Sequence, residues 1–169
     1  MMYNSFGMKN INQNRTPPSN TNQQHLPDAP PVGTDYRIAR ALRAANLDYD
    51  LLQDGTYIVQ ADSANGRECA IYVSSKTYWL GSLEVRLLVT RAGEWQKPLP
   101  IALAEALLEA NAQSVTDKWE LINAGDSWII VLSRFLRVDA DTAEFVAAIQ
   151  SLADSSDLPP DWEDEMNCH

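Results

Sequence analysis

Between Thr34 and Asp154 the spacing of apolar residues changes period several times, and each change marks an element. Ile38, Leu42 and Ala45 recur at i, i+4 and i+7, which predicts a helix capped by Thr34 or Asp35 and ending near Asn46. Tyr49 to Leu52, the turn Asp54-Gly55 and Tyr57 to Ala61 then read as a hairpin. Asn65-Gly66 predicts a second hairpin onto Glu68 to Ser74. Leu83, Val85, Leu87 and Val89 alternate with Glu84, Arg86, Leu88 and Thr90, the period of a strand with one face buried. Pro98 and Pro100 open a helix on which Ile101, Ala104, Leu107, Leu108 and Asn111 keep helical spacing. Trp119 to Ile122 and Trp128 to Val138 predict two strands around Asn123-Ala124-Gly125-Asp126, and apolar residues on both faces of the second make it central or covered. Asp141 with Glu144 resembles a capping box before Phe145, Val146, Ile149, Leu152 and Ala153. The order α-β-β-β-β-α-β-β-α predicts an α+β domain, a two-layer antiparallel sheet covered by helices.

The flanks follow no such period. Residues 1–34 hold six Asn, three Gln and five of the nine prolines, a composition that cannot bury enough apolar surface to offset ordering, so a disordered arm precedes a domain at 35–154. Residues 155–169 form an acidic tail, in which Leu158, Trp162 and Met166 recur every four residues. The formal charge of the whole chain is -10, which disfavours phosphate backbones and anionic bilayers, so neither nucleic acid nor membrane is expected as a partner. No apolar run approaches the roughly 20 residues of a spanning helix, and Asn4, Ser5, Lys9 and Asn10 interrupt any signal core at the start. Cys69 and Cys168 have no neighbour at metal-ligand or redox spacing, which points to reduced thiols and a cytoplasmic location.

Catalytic chemistry finds little support. The two histidines, His25 and His169, lie in the flanks, where no fold positions them against a nucleophile. Glu105 with Glu109 suits a solvated helix face, and Asp139 with Asp141 suits a helix start. The cluster Asp161, Glu163, Asp164 and Glu165 beside Cys168 and His169 lacks the glycine and spacing of a calcium loop, and no phosphate-cradling glycine pattern occurs. No catalytic residue, cofactor or metal is therefore expected. Arg37, Arg40 and Arg43 form the one basic concentration, readable as a solvated face or as a dock for an acidic segment. Trp119 and Trp128 suit the core, whereas Trp79 and Trp95 flank the Leu83 to Val89 strand in predicted loops, where each ring could anchor a partner. Trp162, after Pro159-Pro160, could anchor a docking segment. The candidate partner-binding residues are thus Trp79, Trp95, Trp162, Arg37, Arg40 and Arg43.

The stretch from Leu107 to Asp154 carries a resemblance. A helix ending in Leu107-Leu108-Glu109-Ala110-Asn111, a strand pair about a short polar turn, the apolar strand Trp128-Ile129-Ile130-Val131-Leu132-Ser133 and a last helix ending in Leu152-Ala153-Asp154 resemble the YbjN-like group, sometimes described as sensory transduction regulators. The resemblance covers 35–154 and implies a bacterial protein with a fold similar to that of type III secretion chaperones. It also implies a small non-enzymatic binding protein, often a homodimer, with no catalytic residue to carry over. The expected function is a chaperone-like or regulatory module that captures a protein or peptide along its surface or by strand addition at a sheet edge. The alternative is a small enzyme with an unrecognised Asp, Glu, Tyr or Arg site.

Overall fold

The computed structural model describes residues 33–157. Its elements are α1 (Tyr36–Ala44), β1 (Tyr49–Leu51), β2 (Tyr57–Asp62), β3 (Glu68–Leu80), β4 (Leu83–Gln96), α2 (Ile101–Gln113), β5 (Asp117–Ala124), β6 (Ser127–Arg137) and α3 (Thr142–Ser155). Local chemistry fixes the helix ends. The Asp35 carboxylate accepts from the Arg37 amide at 2.9 Å to start α1, and Asn46, at φ 56°, tolerates the left-handed turn that closes it. Asp141 and Glu144 exchange hydrogen bonds in a capping box before α3. Gly66, at φ 76°, supplies the positive φ that the β2–β3 turn requires.

All six strands form one antiparallel sheet in the order β1-β2-β3-β4-β6-β5. The predicted α+β class and element order hold. Residues paired across antiparallel strands share a face, so the register assigns every side chain to one of two layers. Tyr49, Val59, Ile71, Thr90, Leu132 and Trp119 form one row; Leu51, Tyr57, Val73, Leu88, Arg134 and Asp117 form the next. These rows lie beneath the helices. Ile38 and Leu42 of α1 and Phe145, Ile149 and Leu152 of α3 pack with them into the main core. A second cluster joins Leu103 and Leu107 of α2 to Trp95 and Ile130, and Trp119 packs against both.

Strand β4 departs from expectation in its orientation. The regular apolar set Leu83, Val85, Leu87 and Val89 does not meet the helices; Arg86, Leu88 and Thr90 do. The pattern is apolar on both faces once Leu88 is counted, so alternation alone could not say which face the helices cover. Register shifts between Val73 and Thr77 and between Arg91 and Gly93 let β3 and β4 run on past the predicted strand ends.

Candidate functional site

Of the carboxylates and thiols weighed for catalysis, Cys69, Asp139 and Asp141 make structural contacts. Cys69 is buried, with its sulfur near the Arg67 carbonyl and the Ser156 hydroxyl, at 3.5 and 3.7 Å. Asp139 pairs with Arg137 at 3.0 Å in the open, and Asp141 caps α3. Glu105 and Glu109 lie on the exposed side of α2. Among the described residues no group of three His, Cys, Asp or Glu could hold a metal ion.

The densest polar cluster gathers around Asp35. Its carboxylate accepts from Arg37 and, at 3.0 Å, from Arg86, whose side chain is only 2% exposed; Arg37 also reaches Glu84 at 3.8 Å. The Asp35 amide donates to Ser75 Oγ, and Tyr57 Oη donates to the Asp35 carbonyl. Burial pushes the Asp35 carboxyl up, but the hydrogen bonds from Arg37 and the charge of Arg86 outweigh it and hold the group below the usual carboxylate range. Burial pulls Arg86 down against the opposing pull of Asp35, and burial pushes Tyr57 up. Perturbed groups gathered in this way can mark an active site. Here the carboxylate is already shared by a helix cap and two guanidinium groups, so the cluster ties α1 to β4.

The six expected partner-binding residues are not brought together. Trp79 sits within β3 rather than in a loop, paired with Glu84 on the α1 side, and is 69% exposed. Trp95 was expected as a surface anchor in a loop; it lies within β4 and is 9% exposed, buried against Leu103, Leu107 and Ile130, because the Arg91/Gly93 shift turns it beneath α2. Arg37 is engaged by Asp35 and Glu84, while Arg40 and Arg43 are exposed on α1. Trp162 falls outside the described residues, as do His25, His169 and Cys168. Trp128 is half-buried rather than core, with Lys97 Nζ 4.6 Å from its ring centroid.

Strand addition meets two obstacles. The β1 edge is three residues long, too short to template a partner. At the β5 edge, Asn111 of α2 receives the Trp119 amide at 2.7 Å and donates to the Trp119 carbonyl at 3.0 Å, so one side-chain amide imitates a neighbouring strand. Ser114 Oγ takes the Asp117 amide at 2.9 Å, and Lys118 Nζ reaches the Asn111 and Ser114 carbonyls at the end of α2. The end of α2 and the residue after it thereby engage the Asp117 amide and the Trp119 amide and carbonyl in the first half of β5.

The surface left open is the other face of the sheet. By register it carries Ile58, Tyr72 and Val89 in one row, Leu87 and Phe135 in the next, then Tyr78 and Val85, then Leu80 and Leu83 toward the β3–β4 turn. In the other direction it carries Val131, Ile129 and Ile122. Tyr78 and Phe135 meet edge to face at 6.1 Å, and Val85 and Val131 are buried with no helix above them. Leu80, Leu83 and Phe135 are about half exposed. The solvent face of an antiparallel sheet ordinarily alternates to polar residues; this one is mainly apolar across β3, β4 and β6, three of its four inner strands. The clue in the sequence was the apolar alternation along β4, whose direction the sequence left open. No helix among the described residues is long and apolar enough to cross a membrane. Compared with models of known protein families and with curated proteins, the chain matches none.

Proposed function

We propose that this protein is a non-catalytic binding module of the cytoplasm, acting through protein contacts on the open face of its sheet. The observation that carries the reading is the contiguous apolar surface of β3, β4 and β6, which no described element covers. Such a face takes a broad partner by side-chain packing rather than an added strand, because β1 is three residues long and Asn111 and Ser114 already engage the first half of β5. The resemblance of Leu107 to Asp154 to the YbjN-like group supports the same chaperone-like or regulatory role.

The test compares proteins recovered from native extract by the full chain and by its Leu87→Glu and Phe135→Glu variants, with Glu105→Lys on α2 as the control. The expected result is a specific set retained by the parent and the control and lost from both face variants, since a buried unpaired charge at an apolar contact is strongly unfavourable. Equal recovery by all four would overturn the reading.

A further inference from the structure

Beyond Val73 the outer flank of β3 has no strand neighbour among the described residues. β2 begins at Tyr57, opposite Val73, whereas β3 runs on to Leu80 and pairs there only with β4. Residues 1–32 join the domain at the same point. Gly33 lies beside Gly55, and Ser75 Oγ receives the Asp35 amide at 3.0 Å while donating to the Gly55 carbonyl. A chain entering at Gly33 therefore has a passage past Ser75 and Lys76, from the helix layer to the open face of the sheet.

What that chain carries suits the face. Six of its first eleven residues are large and apolar, namely Met1, Met2, Tyr3, Phe6, Met8 and Ile11, and Lys9 is the one charged side chain among them. Three are methionines, whose unbranched side chains fit an irregular surface without a fixed period. The rim of the face mixes signs, with Lys76, Arg91, Lys118 and Arg137 standing among acids such as Glu94 and Glu120, so a segment with little charge of its own loses least by lying there. The acidic tail is the poorer occupant. Arg67 and Asn65 grip Asp157 at the β2–β3 turn, so Asp161, Glu163, Asp164 and Glu165 follow from a point beside the acids Asp62 and Glu68.

We infer that residues 1–11 fold back over the open face of their own chain and pack on Leu83, Leu87 and Phe135. The tether, residues 12–32, has a root-mean-square span of roughly 25 Å, and Phe135 lies two strands, about 10 Å, across from the break in β3. Held in this way at about millimolar effective concentration, the segment needs only a weak contact, which the apolar rows of one face supply. Pro30 and Pro31 cannot donate to a ladder, so the arm crosses the flank of β3 without adding a strand. A protein partner must displace the segment, which makes the arm a regulator of the face; that consequence alone rests on the protein-binding reading above.

Photocrosslinking tests the contact in the full chain, with benzoylphenylalanine replacing Phe135, a half-exposed site that accepts a larger aromatic group. At high dilution, irradiation is expected to join position 135 to a peptide within 1–11, in a product that keeps the 18.8 kDa mass of one chain. The same group replacing Leu108, on the exposed side of α2, is expected to join nothing in 1–11. Tyr3→Glu/Phe6→Glu should cut the crosslink at least about tenfold, because a carboxylate resists desolvation against apolar rows. By baring the face it should also raise the signal of a dye that fluoresces on apolar surface at least about twofold. The inference is overturned by equal crosslinking from both positions, by a crosslink from 135 to residues 155–169 or to a second chain in place of 1–11, or by a double variant that changes neither readout. Absence of the crosslink, with captured proteins still lost on Phe135→Glu, overturns the inference and leaves the binding reading standing. A crosslink within 1–11, with the same proteins captured by the parent and by Phe135→Glu, establishes the segment as a cover and removes the binding reading instead.

Discussion

Asp35 has three duties: it caps α1, it neutralises a guanidinium that is almost wholly out of water, and its backbone receives the hydroxyl of Tyr57. Removing one member of a buried pair strands the other, which costs about 3–5 kcal/mol, and loss of the cap adds about 1 kcal/mol. Asp35→Ala is therefore expected to destabilise by about 4–6 kcal/mol, measured by denaturant unfolding. Asp35→Ser with Arg86→Met should be milder than Asp35→Ala alone, since it restores the cap and removes the stranded charge. The same residue sets an acid limit. Its folded-state affinity for protons is lowered, so the unfolded chain takes up the proton first. Its stabilisation is complete above the ordinary Asp range near pH 4 and disappears as pH falls through the lower folded value. Melting temperature plotted against pH should accordingly fall less steeply below pH 4 in Asp35→Asn than in the parent.

At the scale of elements, the contact between α2 and β5 guards an edge. Asn111→Ala leaves the Trp119 amide and carbonyl without their partner, at about 1–2 kcal/mol, and uncovers the strand. Faster amide exchange at Trp119 and an increased tendency to aggregate are the expected outcomes; unchanged exchange would show that the edge is protected by something other than this side chain. Elements were legible in the sequence wherever a local device marks them. Asp35 and the Asp141–Glu144 box announced two helices, and Asp54-Gly55 and Asn65-Gly66 announced two turns. The rest depended on distant residues. Arg86 looks like a solvent-facing residue until Asp35, 51 positions away, is placed beside it. Trp95 looked exposed because a one-residue register shift, which leaves little mark on composition, carries β4 onward and turns the ring inward. The uncovered face was written in the apolar set of β4, but which side three helices will choose is a tertiary decision.

For the molecule as a whole, the two core clusters lie within the described residues and are joined through Trp119. Deletion of 1–32 should leave the melting temperature within a few degrees, because the composition of that arm offers little to a core; loss of cooperative unfolding would show that the arm completes the domain. The strand order carries one more consequence. β6 is the last strand made, yet it sits between β4 and β5. A ribosome therefore releases the N-terminal meander with the 14-residue β4 as a bare margin, and the filling strand follows only after α2 and β5. At about 5–20 residues per second the roughly forty intervening residues take about 2–8 seconds. During that interval a nascent chain presents both an unpaired margin and an apolar face to every neighbour on the same message, so the chain is most open to mispairing while it is being made.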